Sequence, residues 1–592
     1  MNIVITAEGI VSAIGNNEAE VVESLRSKRS GIGEMRYLRS AHKELPVGEV
    51  KMSNEEMKAS LDIPVDSEVS RTSLMGIMAI RQLVDTLPAC GKSDGVAQRV
   101  AQRIVLVSGT TVGTMDITEN HFAHILDEQD HSYFAYHGCG GSTQCIADYF
   151  GVFSDMTTIS TACSSAANAI LFGANLIKAG EADVVVAGGS EALSRFHLNG
   201  FNSLMILDRE RCRPFDSTRS GLNLGEGAAY VVLESEDHAK RRGAEIHAYL
   251  SGYGNACDAF HQTASSDNGE GAFLAMREAL AMAHLKPEDI QYVNAHGTGT
   301  PNNDQSESVA LRRVFGDRMP LVSSTKSFTG HTTSASGSIE AVVCLLAMRY
   351  GFVPANIGWR NQMPDGVTPT LGVDSIELRN VVCNSFGFGG NDTSLVFSKA
   401  CPVENDAVYD AEKKVKVLAR VEITSEDELA EIRNYVKPLA ARRMGRLMKS
   451  SLLSSLKALE EAGVEKPDAV ITGTAYGCLD NTERLLRQLD TDGEETVSPT
   501  YFMQSTHNTI GSNIAIRLGC HGYNSTYSQR GDSLRWAVRD AEQLIRSGKC
   551  KTVLVGCHDE STPTLRALLK SQGMEYFDTP VSSIAMVLSC GE

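Results

Sequence analysis

The sequence has no apolar run of about 18 residues, the length that a membrane-spanning helix requires. It also has no block of like charges, and its formal net charge is -18. An acidic chain of this kind repels nucleic acids and anionic membranes, so neither is expected as a partner. No basic residue precedes Arg26, whereas a secretory signal opens with a charged segment. We therefore predict a cytoplasmic protein without a membrane span.

Cysteine pairs at the spacing of a zinc or redox motif are absent as well. The fourteen cysteines stand at irregular intervals, and none forms a CxxC pair. This usage is typical of reduced thiols, most of them packed in the core as small hydrophobic residues. Neither a metal site nor a permanently bound cofactor is predicted.

The apolar pattern indicates an α/β protein with more than one domain. The chain has 592 residues, of which 42% are hydrophobic, enough for several cores. Short β-branched runs alternate with glycine turns and helix-length segments. We predict strands at Ile104 to Gly109, Asp183 to Gly189, Tyr230 to Glu234 and Thr393 to Ser398, and a helix at Ala167 to Ala179.

A charged stretch that contains a proline and lacks an apolar period follows the last of these strands. Such a composition predicts a linker, which we place at residues 401–417. The linker divides the chain into a first domain, residues 1–400, and a second domain, residues 418–592.

The second domain repeats part of the first. Ser108 to Asn120 (SGTTVGTMDITEN) resembles Thr472 to Arg484 (TGTAYGCLDNTER), and LIKAGEADVVVAGGSE near residue 180 parallels LIRSGKCKTVLVGCHDE near residue 550. Generic α/β segments do resemble one another by chance. Ordered matches at two places favour a second, partial copy of the N-terminal half.

Cys163 is the first candidate for chemistry. It lies in STACSSA, directly before a segment with helical pattern. The unpaired N–H groups at a helix N-terminus favour a thiolate and lower the pKa of a thiol. The small neighbours also allow the sharp turn that would present a nucleophilic sulfur. On this local evidence, a nucleophile and a buried core cysteine remain equal alternatives.

Two histidines follow strand-like segments and precede small residues. His296 lies in YVNAHGTGTPNND and His331 in SSTKSFTGHTTSASG. A lone histidine is usually structural, but two in such loops, together with a candidate nucleophile, begin to form a catalytic constellation.

These motifs resemble those of the elongating β-ketoacyl-acyl-carrier-protein synthases, or ketosynthases, over residues 1 to about 400. The resemblance rests on an ordered series of segments: TACSSA, GGSEA, RPFD, GLNLGEGAA, NAHGTGTPNND, STKSFTGHT and NSFGFGGND. It implies a thiolase-like five-layer α-β-α-β-α domain, followed here by a half-thiolase-like α/β domain. Several ordered motifs over a full domain make chance similarity an inadequate explanation.

The resemblance also implies an active site and its reaction. Cys163, His296, His331 and Lys326 match the family's catalytic set, which carries out decarboxylative condensation with malonyl on an acyl carrier protein. Backbone N–H groups of Cys163 and Phe388 would form the oxyanion hole, and Phe388 would gate the acyl pocket. Substrates would arrive as phosphopantetheine thioesters. One departure is Asp392, where the family commonly has asparagine.

Further residues have two interpretations. Glu307 and Glu340 either support Lys326 and the histidines or are solvated helix carboxylates. The arginines between residues 209 and 219 either dock the carrier protein or belong to a solvated loop; they are Arg209, Arg211, Arg213 and Arg219.

The second domain lacks the nucleophile. Alignment on Gly180 and Gly548 places Gly531 opposite Cys163, with no cysteine nearby. The domain thus resembles the chain-length-factor-like partners of ketosynthases in aryl-polyene and related polyketide pathways. We predict an internal pseudo-heterodimer, with further homo-oligomerisation also open, in which the second domain closes the acyl tunnel and limits product length. The alternative is a scaffold that only buries the dimerisation surface.

Three functions therefore compete. The complete Cys-His-His-Lys set favours a condensing enzyme of a specialised polyene or polyketide pathway. Within the enzyme class, the alternative is housekeeping fatty-acid elongation. It ranks second because enzymes of that pathway normally lack the second domain. A non-condensing partner or assembly module is the alternative outside it.

Overall fold

A computed structural model describes residues 1–88, 102–127, 132–400, 409–574 and 579–591. The first eight residues of the predicted linker, 401–408, lie outside the described residues. The next strand begins at Val415, three residues before the predicted start of the second domain.

The described residues form a sheet of fifteen strands. In chain order the strands are β1 Ile3–Ser12, β2 Ile104–Gly109, β3 Asp155–Ile159, β4 Val184–Glu191, β5 Gly227–Ser235, β6 Ala248–Cys257, β7 Tyr292–Asn294, β8 Leu321–Ser323, β9 Asn380–Gly387, β10 Asn391–Ser398, β11 Val415–Ile423, β12 Ala469–Gly473, β13 Tyr523–Tyr527, β14 Thr552–Glu560 and β15 Val581–Cys590. The four predicted strands correspond to β2, β4, β5 and β10.

The α-helices connect these strands. In chain order they are α1 Glu18–Arg26, α2 Asn54–Ser60, α3 Arg71–Arg81, α4 Met115–His121, α5 Cys139–Phe150, α6 Ser165–Lys178, α7 Arg195–Ser203, α8 Glu236–Arg242, α9 Glu270–Met282, α10 Pro301–Phe315, α11 Lys326–Thr329, α12 Ser336–Tyr350, α13 Pro438–Arg442, α14 Arg446–Ala462, α15 Leu479–Thr491, α16 Pro499–Met503, α17 Thr509–Leu518, α18 Ser533–Arg546 and α19 Pro563–Ser571. Helix α6 corresponds to the predicted helix. Among the described residues, no helix is long and apolar enough to cross a membrane.

One strand arrangement occurs three times. The first half has the order β3-β2-β4-β5-β1, the second half β8-β7-β9-β10-β6, and the C-terminal region β13-β12-β14-β15-β11. In each copy the first three strands are parallel and the last two join them antiparallel. The C-terminal region is therefore a half-thiolase-like unit, as the sequence repeat predicts.

The first 400 residues stack in five layers. Helices α6 and α12 lie between the two half-sheets, in a core that includes Phe172, Val231 and Leu395. Helices α3 and α5 cover the outer face of the first half-sheet, and α9 and α10 cover that of the second. This arrangement confirms the predicted five-layer α/β architecture.

Strands β3 and β13 join the C-terminal half-sheet to the first half-sheet. They are antiparallel, with Tyr527 opposite Ile159. Ser160 N–H donates to the Thr526 carbonyl at 2.9 Å, and Ser528 N–H donates to the Thr158 carbonyl at 2.9 Å. The sheet therefore continues from one region into the other.

The repeat extends to hydrogen-bonded turns. After β2, the Gly113 N–H donates to Thr110 Oγ1 at 3.0 Å; after β12, the Gly477 N–H donates to Thr474 Oγ1 at 2.9 Å. Both glycines have positive φ, 59° and 70°, the conformation that glycine adopts without a steric penalty. Matching turns at matching places confirm that the sequence similarity reflects a structural copy.

Candidate active site

Cys163 lies in a tight turn between β3 and α6. Ala162, immediately before it, has a φ of 52°, which is uncommon for a residue with a Cβ and bends the chain sharply. The turn is held by Ser165, whose Oγ accepts a hydrogen bond from the Thr161 N–H at 2.9 Å. Cys163 is only 5% exposed and lines a cavity of about 410 Å³.

The two histidines reach this sulfur from the second half of the domain. His296 follows β7, and His331 follows β8 and α11. The Cys163 Sγ and a ring nitrogen of each histidine all lie within 4.8 Å of one another. His331 Nε2 is 3.1 Å from the sulfur, and His331 Nδ1 is 2.9 Å from Ser336 Oγ. The structure therefore brings together three residues that are up to 168 positions apart in the chain.

Burial sets the protonation states in the cavity. It raises the pKa of the Cys163 thiol to about 11, although the Lys326 charge and the backbone N–H groups of Phe388 and Cys163 oppose it. The helix N-terminus alone predicts a lowered thiol pKa, so desolvation outweighs it here. Burial and the Lys326 charge hold the pKa values of His296 and His331 well below 6.5. A neutral thiol thus faces two neutral imidazoles at neutral pH.

A buried ion pair lies beside the histidines. Lys326 Nζ donates a hydrogen bond to Glu340 Oε1, and both side chains are almost fully buried. Burial raises the pKa of Glu340 to about 7, against the opposing charge of Lys326. Glu340 is therefore the partner of Lys326 and not a solvated helix carboxylate.

Glu307 is buried and supports one of the two histidines, the first of the two interpretations given above. Its carboxylate accepts the backbone N–H groups of His296 at 2.8 Å and Gly297 at 2.7 Å. It thus holds the backbone of the His296 loop instead of pairing with Lys326. Burial raises the pKa of Glu307 to about 7.

The loop that carries Phe388, residues 387–390 between β9 and β10, passes over the sulfur, and we name it the gate loop. The loop packs on the nucleophile turn, where a Cβ at Gly387 would lie 3.3 Å from the Cys163 backbone nitrogen, and the Phe388 N–H lowers the pKa of the thiol. The Phe388 ring is half-buried and stacks on Phe201, with ring centroids 5.7 Å apart. Gly389 and Gly390 follow with φ of 84° and 77°, a conformation that requires glycine.

The four arginines of the 209–219 segment divide into two groups. Arg213 pairs with Asp208 and Glu210, and Arg219 lies 3.5 Å from the buried Asp304. Both therefore have charge partners that stabilise their own loops. Arg209 and Arg211 are exposed.

Asp392, the departure from the family pattern, is buried near two other carboxyl groups. Burial, Asp258 and Glu307 together raise its pKa well above 3.8. Burial and the two neighbouring carboxyl groups therefore disfavour a negative charge at this position.

The C-terminal region has the same turn without the nucleophile. Arg530 has a φ of 48°, like Ala162, and Gln529 N–H donates to Ser533 Oγ at 2.9 Å, like Thr161 to Ser165. Gly531 occupies the position of Cys163 in this turn, as the alignment predicts. The copied turn has no thiol with which to react.

Several contacts of the site have no signal in the sequence. Ser336, which bonds to His331, is one serine among many in its segment. Phe502 of α16 packs edge-on against Phe196 and Phe201. Asn508, next to α17, donates to the Phe388 carbonyl at 2.7 Å. Phe502 and Asn508 belong to the C-terminal region, which lacks the nucleophile and has no sequence motif that predicts a contact with the active site.

Comparisons with known families cover most of the chain. Residues 1–239 match the model described as beta-ketoacyl synthase, N-terminal domain, and residues 247–360 match the corresponding C-terminal domain. Residues 418–592 match another model of the beta-ketoacyl synthase N-terminal domain.

Relatives and solved structures agree with these matches. The 3-oxoacyl-(acyl-carrier-protein) synthase 1 of Escherichia coli (strain K12) is 33% identical over 411 residues, which are 67% of this chain and 98% of that protein. The solved structure of "The ishigamide ketosynthase/chain length factor" is 32% identical, with a TM-score of 0.61, over 68% of this chain and 99% of that one. "PfaC Keto synthase-Chain length factor" covers all of this chain and 78% of its own, with a TM-score of 0.80; at 16% identity it shows a shared fold alone.

Proposed function

Since this chain belongs to the beta-ketoacyl synthase family, we propose that it joins an acyl chain held on Cys163 to malonyl on an acyl carrier protein, with loss of CO2. The contact between His331 Nε2 and the Cys163 sulfur, 3.1 Å, is the observation that carries this proposal. The reaction is an acyl transfer followed by a decarboxylative Claisen condensation, and both thioesters would be held on phosphopantetheine.

The first half-reaction acylates the cysteine. The thiol proton moves to His331 Nε2, and the sulfur attacks the thioester carbonyl. The backbone N–H groups of Cys163 and Phe388 stabilise the oxyanion, and a donor in this role contributes about 2.7–4 kcal/mol. The carbon–sulfur bond to the carrier then breaks, and the departing thiol takes the proton. His331 is neutral again, and Cys163 bears the acyl group.

The second half-reaction forms the carbon–carbon bond. Malonyl loses CO2, and negative charge collects on its thioester oxygen as an enolate. His296 and His331 donate hydrogen bonds to that oxygen, a role suited to neutral imidazoles. The Ser336 hydroxyl can accept from or donate to His331 Nδ1, so the ring can first accept the thiol proton and later donate from Nε2. The enolate carbon attacks the acyl-cysteine and forms the carbon–carbon bond. The bond from the carbonyl to Cys163 then breaks, and the departing thiolate takes up one proton from solvent.

In this proposal residues 1–400 form the ketosynthase domain, residues 401–417 the linker and residues 418–592 a chain-length-factor-like partner. The antiparallel pairing of β3 with β13 supports an internal pseudo-heterodimer. Each strand is the edge of its own half-sheet, and unpaired sheet edges favour association. Similarity to the ishigamide protein, whose name joins a ketosynthase with a chain length factor, supports the same pairing and a specialised pathway over housekeeping elongation. Cytoplasmic location remains a prediction.

Phe502 supports a role for the second domain in product length. Its ring lies against Phe196 and Phe201 at centroid distances of 6.0 and 5.2 Å. Phe201 lines the cavity of Cys163, whereas Phe196 lines a separate apolar cavity of about 70 Å³ between the two domains. Phe502 would therefore separate the two cavities and limit how far an acyl chain extends.

Two surfaces are candidates for carrier-protein docking. One is the exposed pair Arg209 and Arg211. The other is an open cleft of about 1270 Å³, the basic cleft, lined mainly by the second domain. Its lining includes His261 and Gln262, which directly precede Thr263 in the lining of the active-site cavity. Its basic side chains are Arg442, Arg443, Arg446, Lys449 and Arg484. Arg446 pairs with Glu426 and Glu560, and Arg484 pairs with Asp480, so the excess positive charge comes from Arg442, Arg443 and Lys449. In a chain of net charge -18, such a cluster favours an acidic partner such as a carrier that bears a phosphodiester.

The test is intact-protein mass spectrometry of the full chain after mixing with carrier proteins loaded with acyl groups of several lengths. The wild type should gain the mass of the acyl group, and Cys163→Ala should gain none. An equal adduct on Cys163→Ala would place the acyl group elsewhere and overturn the proposal. Failure of every carrier, together with no release of CO2 from malonyl-carrier, would favour the assembly-module alternative.

The role in product length needs a separate experiment. Phe502→Ala should lengthen the products, because it opens the wall between the two cavities. Unchanged product lengths in Phe502→Ala, with normal condensation, would favour a second domain that acts only as a scaffold.

A further inference from the structure

Asn508 links the second domain to the gate loop. It precedes α17 as the N-cap residue, yet its side chain makes no capping hydrogen bond to that helix. Its Nδ2 donates instead to the Phe388 carbonyl at 2.7 Å and to Asn391 Oδ1 at 2.9 Å. Phe388 belongs to the gate loop, and Asn391 is the residue that directly follows the loop. The side chain is oriented by these contacts, since the reverse orientation would set oxygen against two acceptors.

The contact is part of a buried amide network that reaches the nucleophile turn. Asn391 Nδ2 donates to Asn524 Oδ1 at 2.8 Å, and the Asn524 N–H donates to Asn255 Oδ1 at 2.9 Å. Asn255 Nδ2 donates to Asn168 Oδ1 at 2.8 Å, and Asn168 Nδ2 donates to Thr161 Oγ1 at 2.9 Å. Thr161 is two residues before Cys163, so the network touches the site at both the gate loop and the nucleophile turn.

The gate loop also packs directly on α17. A Cβ at Gly389 would lie 2.1 Å from Ser512 Oγ and 3.0 Å from Asn508 Nδ2. Ser512 Oγ in turn lies 3.3 Å from Asn391 Oδ1. The second domain therefore limits the space available to the loop and supplies part of its polar contacts, while Gln262 and Asp258 of the first domain bond to Gly389 and Gly390.

We propose that Asn508 is a positioning residue: it holds the Phe388 peptide so that its N–H points at the Cys163 sulfur. The inference rests on the proposed condensation, and it makes the second domain part of the acylation site as well as of the tunnel. Network members are 0–3% exposed. A buried acceptor left without a donor is costly, so loss of the Asn508 amide displaces the loop instead of leaving it in place.

The test compares Asn508→Leu with Asn513→Leu in the full chain. Leucine has the branched shape of asparagine but cannot donate. Asn513 lies on the same helix, and its Nδ2 has no hydrogen-bond partner in the described structure. Two readouts are needed: single-turnover acylation by a small acyl-pantetheine thioester, and the pH dependence of Cys163 alkylation by iodoacetamide. The second readout reports the position of the Phe388 N–H without any acyl substrate.

Asn508→Leu should acylate at least about tenfold more slowly than wild type, because one oxyanion donor is misplaced. Its alkylation profile should move to higher pH, because the thiolate loses a hydrogen bond. Asn513→Leu should match the wild type in both readouts. Asn508→Ala, which is smaller and also cannot donate, should reproduce the slower acylation if the leucine variant does not fold.

Acylation at the wild-type rate together with an unshifted alkylation profile, in a folded Asn508→Leu or Asn508→Ala variant, would overturn the assignment. Equal impairment of Asn508→Leu and Asn513→Leu would also overturn it, since the effect would then come from the helix alone. If the wild type itself is not acylated, the proposed function fails, while the alkylation profiles still test the positioning.

Discussion

At the scale of single residues, the chemistry of Cys163 is governed by its burial. The thiol lies between two neutral imidazoles, with its pKa raised to about 11. A permanent thiolate is therefore not the resting form. The thiolate forms only as the proton is transferred, and the nearest acceptor is His331 Nε2.

This protonation state predicts the pH dependence of alkylation. The thiolate is the reactive form, and a raised pKa leaves little of it at neutral pH. The rate of iodoacetamide modification of wild-type Cys163 should therefore keep rising above about pH 8.5, the pKa of a free cysteine. Measured rates at a series of pH values check this, with Cys163→Ala to subtract other thiols. A plateau near neutral pH would contradict it.

A second residue-scale prediction concerns Lys326 and Glu340. Lys326→Met removes the cation and leaves a buried carboxyl without its partner, which should destabilise the protein by about 3–5 kcal/mol. Thermal unfolding at pH 7 should show a lower Tm. The double variant Lys326→Met/Glu340→Leu should recover most of the loss, because no charge is then buried alone.

The same variant has a predictable pH dependence. Burial raises the pKa of Glu340, and without Lys326 nothing lowers it again. A carboxyl with a higher pKa when folded binds its proton more tightly in the folded state, so stability falls as pH rises. The Tm deficit of Lys326→Met should thus shrink as pH falls from about 8 to about 5. A deficit that grows in acid would refute this explanation.

At the scale of elements, α6 and α18 join the two domains behind the paired strands. Trp536 of α18 is fully buried and packs edge-on against Phe172 of α6, with centroids 5.9 Å apart at 83°. Trp536→Ala should cost about 3–5 kcal/mol, the usual range for truncating a buried aromatic residue. The Tm of the full chain measures this, with Trp359→Phe as the control at the other tryptophan. An unchanged Tm would mean that this contact contributes little.

A second prediction at this scale concerns the basic cleft. Arg442→Glu/Arg443→Glu reverses two exposed charges just before α14. It should raise KM for acyl-carrier protein and leave acylation from a small pantetheine thioester unchanged, because only the carrier contacts the cleft. The matched variant is Arg209→Glu/Arg211→Glu. If only the matched variant raises KM, the carrier docks at the first domain.

At the scale of the whole molecule, the pairing of β3 with β13 predicts the oligomeric state. The β3 and β13 edges already pair with each other within one chain, so no second copy is needed to cover either of them. Light scattering after size exclusion should give the mass of one chain, 63.8 kDa. A truncation after residue 400 would expose the β3 edge and should self-associate or aggregate. A stable dimer of the full chain through this edge would contradict the prediction.

The sequence by itself determined the elements and the copied half. The β-branched run at Ile104 to Gly109 predicts a strand, and the structure has a buried strand with those bounds. The second Gly-Thr pair, Gly473-Thr474, predicts the repeat. Both predictions succeed because strands and turns depend on the local sequence pattern. Motif resemblance also predicted that Cys163, His296, His331 and Lys326 form the site. No local pattern could supply the distances between them.

Only the tertiary structure decided the contacts between distant segments and the energies that burial imposes. Lys326 pairs with Glu340, and Glu307 accepts a hydrogen bond from the His296 backbone. Arg213 and Arg219 pair with acidic residues of the first domain. The tertiary structure also raised the thiol pKa that a helix terminus alone would lower. Asn508 reaches Phe388 across 120 residues. Each of these depends on how helices and sheets pack, since desolvation and hydrogen bonding act through space and not along the chain.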